Sequence, residues 1–209
     1  MSSLCECDVN THSFAVMLKN CNISPKAVIH AGAHDLIESD IYKLYDAKVY
    51  AIECNPFVYQ DLLIRINDVK NQIPIYACLW SEPNKKLTFN FYRNKKDGAG
   101  GLFEPEKMFD YIKDCPLLEE KLELVTTTMD LVIDKQIPDY KNVDFLNVDL
   151  QGAELEFFKG ANKLLNSRTL KHIWCEVSWD RAYKDAPLLS DIDNYLLKFG
   201  FKRVGIRQD

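Results

Sequence analysis

Short apolar runs alternate with segments of helical periodicity along most of this 209-residue chain, and only short turns separate them. The first three runs are Ala27–Ala31 (AVIHA), Lys48–Glu53 (KVYAIE) and residues 73–78 (IPIYAC), with a helical pattern after each of the first two. Strands that are joined by helices pair in parallel, and the helices cover both faces of the resulting sheet. The chain therefore predicts an α/β domain with a mostly parallel central sheet and helices on both faces.

The same alternation continues to the end of the chain. Asn55 and Pro56 indicate a helix start, with an N-cap residue followed by proline at the first helical position. Residues 94–116 contain a glycine-rich stretch and two prolines, a composition that favours a loop, and we interpret this loop as a candidate lid. We expect a helical extension at residues 1–26 and one domain at residues 27–209. Further strands are predicted at 87–92, 122–129, 143–149, 172–177 and 201–206, and helices at 10–20, 153–165 and 187–199.

The balance of charge and apolar residues argues against several classes of partner. The net charge of -5 provides no broad basic surface for a nucleic acid. The N-terminal segment lacks the charged-then-apolar pattern of a signal peptide, and no run approaches the ~20 apolar residues that span a bilayer. The seven cysteines are odd in number and scattered, which is typical of reduced thiols. We therefore expect a cytoplasmic protein with no nucleic-acid partner and no membrane insertion.

Two candidate ligand-binding positions lie at the ends of the first two predicted strands. In an open parallel sheet, ligands bind beyond the carboxyl ends of the strands, where the strand order reverses. Gly32 lies in a turn of small residues after the first strand, where backbone amides can approach a ligand closely. Glu53 ends the second strand, and an acidic residue about 20 positions after such a glycine is placed to bind ribose hydroxyls. Together they predict a cofactor that contains a nucleoside; a ligand-free turn and a solvated strand end are the structural alternatives.

Carboxylates also follow two later strands. Asp149 emerges from the most apolar strand, where it can act as a base or a metal ligand, or can simply cap the next helix. Glu176 ends the following strand and could face Asp149 across the crevice. Cys5 and Cys7 form a lone C-x-C pair without the spacing of a zinc site, so we assign no metal-binding residues.

The residues at these strand ends resemble those of the FkbM family of methyltransferases. Three stretches carry the resemblance: VIHAGAH with AIECNP, then FLNVDLQGAELEFFKGA, and finally EVS with PLLSDIDNYLLKFGF. It covers nearly the whole of residues 27–206. The resemblance implies a Rossmann-like class I methyltransferase fold that binds S-adenosylmethionine. It also implies O-methylation of a hydroxyl on a sugar, a glycan or a small natural product.

The resemblance carries individual roles onto this sequence. Gly32, Ala33 and His34 would border the methionine part of the cofactor, and Glu53 would bind its ribose. Asp149 would lie nearest the transferred methyl group. Related sequences often have a glycine shortly after the first turn, whereas this chain has Asp35-Leu36-Ile37, which predicts a less permissive turn. Leu79 and Trp80 would lie near the adenine, and His30, Ala31, Asn55 and Gln151 complete the predicted cofactor contacts.

Methyl transfer to a hydroxyl requires a base, because an alcohol is a poor nucleophile. We predict that Asp149 acts directly or through a divalent cation shared with Glu176, and that His34 is the alternative base. A non-catalytic Rossmann-like scaffold remains an alternative. A nicotinamide-dependent oxidoreductase is a further one, although the chain has no G-x-G-x-x-G.

Overall fold

The computed structural model describes residues 9–104, 106, 117–180 and 182–206. Cys5 and Cys7 lie outside these residues. The strands are β1 (Ala27–Ala31), β2 (Lys48–Glu53), β3 (Gln72–Tyr76), β4 (Cys78–Leu79), β5 (Lys86–Tyr92), β6 (Leu117–Thr127), β7 (Phe145–Val148) and β8 (His172–Cys175). The α-helices are α1 (Val9–Asn20), α2 (Ser39–Leu44), α3 (Pro56–Ile66), α4 (Met129–Gln136), α5 (Glu154–Lys159), α6 (Asn162–Leu165) and α7 (Leu189–Leu196), with 3-10 helices at Tyr140–Asn142 and Leu197–Phe199.

Five strands form the central sheet in the order β3-β2-β1-β7-β8, and all four neighbouring pairs are parallel. The chain builds outward from β1 through β2 to β3 and later returns to the other side of β1 with β7 and β8. The strand order therefore reverses between β1 and β7, which is where an open α/β sheet forms a ligand crevice. This topology confirms the predicted Rossmann-like α/β fold.

Alternate residues of the central strands point into two separate cores. Ile29 of β1 and Ile52 of β2 pack with helices α4 to α7 on one face of the sheet. Val28 and Val49 pack with helices α1 to α3 on the opposite face. Both faces are buried, so the strands are nearly continuous apolar runs, as expected of a parallel sheet. The predicted helices on both faces are thereby confirmed.

The predicted strand at 73–78 is divided between two sheets. Ala77 donates its amide to the carbonyl of Glu53 at 3.0 Å, which is the last contact of this segment with β2. Cys78 then pairs with Thr126 of β6 in a second, three-stranded sheet of order β4-β6-β5. The second sheet lies beside the carboxyl ends of β1 and β2 and contributes to the site described below.

Three of the predicted elements differ from the observed ones for an identifiable reason. The strand expected at 122–129 ends at Thr127, because Thr128 caps α4 by accepting the Leu131 amide at 3.2 Å. The helix expected at 153–165 is interrupted at Gly160, where a Cβ atom would lie 2.4 Å from the Trp80 carbonyl oxygen. Residues 201–206, all of them described, form no strand, and Val204 is 95% exposed, so it gains no burial there.

Candidate functional site

A cavity of about 250 Å³ opens at the carboxyl ends of β1, β2 and β7. It brings together Gly32, Glu53 and Asp149, the three positions on which the sequence-based hypothesis depends. Residues 97–102 cover it from the side of the second sheet. The lining consists of His30, Gly32–Asp35, Ile37, Glu38, Ile52–Asn55, Val58, Ala77, Leu79, Phe89, Asp97, Gly98, Gly100–Leu102, Asp149–Gln151 and Ala153.

The turn after β1 uses its backbone amides within the protein. The amides of Gly32 and Ala33 both donate to the carbonyl of Ile52, at 3.0 and 2.9 Å. Gly32 has φ +78°, and a Cβ atom there would lie 1.7 Å from the carbonyl oxygen of Asp149. The glycine is therefore required for the close approach of β1 to β7, whereas the sequence interpretation had this turn approaching a ligand.

The backbone after this turn is left-handed at two non-glycine positions, His34 (φ +48°) and Leu36 (φ +55°). Leu36 stands in the stretch where related sequences often carry a glycine. A left-handed leucine costs about 1–2 kcal/mol in backbone energy. Its side chain is fully buried among α1 to α3, and that burial offsets the cost. Burial of the Leu36 side chain thus stabilises the left-handed backbone at this position.

Glu53 organises the end of β2 through its carboxylate. Oε1 accepts the amides of Cys54 and Asn55 at 2.8 and 2.7 Å, and Oε2 accepts the His34 amide at 2.9 Å. Burial raises the pKa of Glu53, while these three hydrogen bonds oppose the increase. Because Oε2 accepts only one of these three amides, it retains capacity for a further donor from the cavity.

His30 is a buried neutral imidazole at the base of the cavity. Its Nδ1 lies 3.2 Å from the Tyr42 hydroxyl, which also accepts the Asn147 side-chain amide at 3.2 Å. Burial lowers the pKa of His30 to about 4, and the negative charge of Asp149 opposes this decrease only in part. The Tyr42 hydroxyl can donate to Nδ1, and in that arrangement the ring proton is on Nε2.

His34 contacts an acceptor at each ring nitrogen. Nδ1 lies 3.2 Å from a carboxylate oxygen of Asp35, and Nε2 lies 3.0 Å from the Lys96 carbonyl oxygen. The hydrogen bond to Asp35 is the largest cause that raises the pKa of His34. Both contacts can be hydrogen bonds only when the ring is an imidazolium. This arrangement favours a structural role for His34 over the alternative role of catalytic base.

Gln151 bridges the two carboxylates that follow β7 and β8. Its Nε2 donates to Asp149 Oδ1 at 2.6 Å and to Glu176 Oε2 at 2.9 Å. Its Oε1 accepts the Tyr183 hydroxyl at 2.7 Å. Asp149 and Glu176 therefore face one another, as the sequence suggested, but a carboxamide nitrogen occupies the position between them that a shared cation would need. Within the described ranges, no group of three or more His, Cys, Asp or Glu side chains is arranged to hold a metal ion.

Glu154 shapes the loop that carries these residues. Its Oε1 accepts the amides of Leu150 and Gly152 at 2.9 and 3.1 Å, so it caps the segment from within its own helix. The side chain is 3% exposed, and burial raises its pKa to about 7. Glu154 is thus a structural member of the DLQGAELE motif.

The raised pKa of Glu154 predicts that Glu154→Gln is stabilising at alkaline pH. The folded state holds the proton up to about pH 7 and the unfolded chain only to about 4.5, so the stability of the parent decreases as the pH rises through this window. Since one pKa unit corresponds to ~1.36 kcal/mol, we expect the variant to gain up to about 3 kcal/mol at pH 8 and less than about 1 kcal/mol at pH 5. Urea unfolding at both pH values measures the difference. Equal gains at the two pH values would contradict the prediction, and Glu82→Gln, at an exposed position, is the control.

Residues 94–103, called the roof below, cover the cavity and are held by site residues through the main chain. The Asn55 side-chain amide donates to the Lys95 carbonyl at 2.8 Å, and His34 Nε2 contacts the Lys96 carbonyl. Gly101 and Asn90 exchange two backbone hydrogen bonds of 2.8 and 3.1 Å. The roof is part of the predicted lid at residues 94–116, of which residues 105 and 107–116 lie outside the described residues.

The cavity is acidic. Five carboxylates line it, and among the described lining residues there is no lysine or arginine. Glu38, at the start of α2, is a lining residue that the sequence interpretation missed, because no motif marks it. Burial raises the pKa of Glu38 to about 7, and the charges of Asp149 and Asp35 add to the increase. The five carboxylates are Asp35, Glu38, Glu53, Asp97 and Asp149.

Leu79 and Trp80, predicted to be neighbours at one end of the ligand, lie in different environments. Leu79 lines the cavity beside Ala77 and Phe89. The Trp80 ring packs on Phe103, with ring centroids 5.7 Å apart, and its carbonyl contacts Gly160. The structure therefore brings Leu79, but not the Trp80 side chain, to the cavity.

A second depression lies at the opposite edge of the sheet, where β2 and β3 begin. Its volume is about 300 Å³, and Ala47 and Gln72 are among its lining residues. Ligand crevices of open α/β sheets form at the carboxyl ends of the strands. The cavity at Gly32, Glu53 and Asp149 is therefore the candidate site.

Comparison with known proteins gives one finding. A family model described as "Methyltransferase FkbM domain" matches residues 30–203. Neither a curated protein nor a solved structure matches the chain.

A helix that crosses a bilayer needs ~20 predominantly apolar residues. Among the residues that the structure describes, no helix has that length and apolar character.

Proposed function

This chain belongs to the FkbM methyltransferase family, and on that basis we propose that it transfers a methyl group from S-adenosylmethionine to a hydroxyl of a sugar, a glycan or a small natural product. When bound, S-adenosylmethionine supplies an electrophilic methyl group on a positively charged sulfonium. The residues that hold it and the residue that activates the acceptor lie in the cavity at the ends of β1, β2 and β7.

The observation that carries the choice of cofactor is the charge of the cavity. Its five carboxylates, with the His34 imidazolium as the one cation among the described lining residues and no lysine or arginine there, favour a ligand with positive charge, such as a sulfonium with an ammonium group. A nicotinamide dinucleotide brings an anionic pyrophosphate, which needs amides of a helix N-terminus or basic side chains. Here the amides of Gly32, Ala33 and His34 are already used within the protein. The same features that support S-adenosylmethionine therefore oppose the oxidoreductase alternative.

The parts of the cavity suit the parts of the proposed cofactor. Glu53 Oε2 accepts a ribose hydroxyl, and Nε2–H of His30 donates from the base of the cavity. Leu79, with Ile52 and Val58, provides an apolar surface for the adenine. The cavity volume is slightly below the ~300–1,000 Å³ of typical ligand pockets, so binding includes an outward shift of the roof.

Asp149 is the proposed base. Its carboxylate lies at the end of β7, exposed to the crevice and aligned by the short hydrogen bond from Gln151. It accepts the proton of the acceptor hydroxyl while the main chain of the β1 turn, packed against it, fixes its position. Alignment of the acceptor oxygen under the roof contributes the remaining rate increase, since well-oriented reactants have large effective molarities.

Calorimetric titration tests the proposal. We expect S-adenosylmethionine and S-adenosylhomocysteine to bind and to raise the melting temperature, and NAD to do neither at the same concentration. Because the cavity is acidic, S-adenosylmethionine should gain from its extra positive charge, and that gain should decrease as salt is added. Binding of NAD alone would support the oxidoreductase alternative. Failure of all three ligands to bind would support a non-catalytic scaffold.

A radiolabelled methyl donor with a panel of sugars and hydroxylated small molecules then identifies the acceptor class.

A further inference from the structure

Tyr183 donates its hydroxyl to Gln151, the residue that bridges the two carboxylates, and no part of the family resemblance concerns it. We propose that Tyr183 is a positioning residue, which holds the Gln151 carboxamide between Asp149 and Glu176 and so fixes the direction of the Asp149 carboxylate. The catalytic consequence rests on the proposed function, whereas the positioning of Gln151 does not.

The first step of the argument is the hydrogen-bond arrangement. The Gln151 carboxamide uses both of its N–H groups on carboxylates, at 2.6 and 2.9 Å, so its oxygen must face away from them. In that direction it accepts the Tyr183 hydroxyl at 2.7 Å. The hydroxyl has a second neighbouring acceptor, the Ala99 carbonyl of the roof, at the longer distance of 3.3 Å. Its single proton therefore serves Gln151.

The second step concerns why Gln151 needs an anchor. Gln151 has φ +52° and is followed by Gly152 with φ +97°, so two consecutive residues are left-handed. A non-glycine residue in this conformation is strained and persists only where contacts hold it. Gln151 also packs against the roof, since a Cβ atom on Gly101 would lie 3.2 Å from Gln151 Cβ and 3.3 Å from its carbonyl oxygen. The three side-chain hydrogen bonds are the contacts that hold the residue in place.

The third step concerns Tyr183 itself. The side chain is 6% exposed, and its ring packs over Gly152, where an added Cβ atom would lie 3.2 Å from ring atom Cδ2. The ring thus occupies a fixed position that does not depend on the hydroxyl. Burial raises the pKa of Tyr183, and the charge of Glu176 adds to the increase, so the hydroxyl remains a donor. If the hydroxyl is removed, Gln151 Oε1 loses its donor and the side chain moves toward water, which withdraws its donors from both carboxylates.

The test compares Tyr183→Phe with Tyr195→Phe. Both remove one hydroxyl and keep the ring; Tyr195 is the control, since its hydroxyl contacts the Phe158 carbonyl at 3.5 Å outside the cavity. The primary readout is the pair of Gln151 side-chain N–H resonances in 15N-labelled protein, assigned by their loss in Gln151→Met. We expect Tyr183→Phe to reduce their protection from solvent exchange about 3- to 10-fold, and Tyr195→Phe to leave it unchanged.

Turnover provides the second readout. With the acceptor that supports turnover in the parent, we expect Tyr183→Phe to lower kcat about 10- to 100-fold. Its KM for S-adenosylmethionine should change much less than kcat, because the proposed contacts at Glu53, His30 and Leu79 are intact and only the predicted contact of Gln151 is disturbed. Unchanged protection of the Gln151 N–H groups, or an equal loss in Tyr195→Phe, would overturn the positioning role. If the parent itself fails to bind S-adenosylmethionine, the proposed function fails, and the resonances of Gln151 still decide the role of Tyr183.

Discussion

Gly32→Ala is expected to lower the free energy of unfolding by more than about 4 kcal/mol and to yield little folded protein. The new Cβ atom would lie 1.7 Å from the carbonyl oxygen of Asp149, which is backbone and cannot rotate away. To relieve this contact, β1 and β7 must separate at the centre of the sheet, where Ala31 and Val148 are paired. Urea unfolding followed by circular dichroism measures the loss.

Gly200→Ala is the matched control for this substitution. Gly200 has φ +87°, similar to that of Gly32, but a Cβ atom there meets nothing within 4 Å. It should therefore cost only the backbone strain, about 1–2 kcal/mol. If the two substitutions cost the same, the steric explanation for Gly32 is wrong and only its backbone conformation matters.

The second large effect is expected for Asp149→Asn, which should lower turnover about 100- to 10,000-fold. Asparagine has the same shape, and its side-chain oxygen still accepts the hydrogen bond of Gln151, but it cannot take a proton from the acceptor hydroxyl. The affinity for S-adenosylmethionine should change far less than turnover, because the proposed ribose and adenine contacts, Glu53 and Leu79, lie on β2 and β4. Single-turnover methyl transfer and calorimetry separate the two quantities.

Asp134→Asn serves as the control, since Asp134 is half exposed and pairs with Lys163 away from the cavity. Turnover by Asp149→Asn equal to that of the parent would remove Asp149 as the base. A parallel loss of cofactor affinity and turnover would instead indicate that Asp149 acts by binding the cofactor.

The order of elements was predictable from local sequence because each signal is short-range. The bounds of β1 and β2 follow from their apolar runs, and the start of α3 follows from Asn55, whose side chain accepts the Phe57 amide. The end of the predicted strand at 122–129 was wrong because Thr128 is compatible with both a strand and the start of a helix. It is β-branched, which favours a strand, and it is also a good N-cap.

The contacts that build the site depend on residues far apart in the chain, so no local pattern contains them. Glu38 carries no motif, and its role follows only from the packing of α2 over the cavity. Tyr183 reaches Gln151 across 32 positions. Gly32 was correctly identified as a special position, but for another reason: the sequence shows that a close approach is needed and does not show which backbone approaches.

Two main-chain carbonyls of the roof, those of Lys95 and Lys96, contact the side chains of Asn55 and His34. A main-chain carbonyl is common to every amino acid, so these two contacts do not depend on which side chains stand at positions 95 and 96, whereas the Lys95 and Lys96 side chains themselves pair with Glu120 and Asp61. Substitution of these two side chains would therefore remove ion pairs at the surface and keep the carbonyl contacts beside the cavity. Under the proposed function, cavity-lining roof residues such as Leu102 are the positions at which to change acceptor preference while the contacts at positions 95 and 96 are retained.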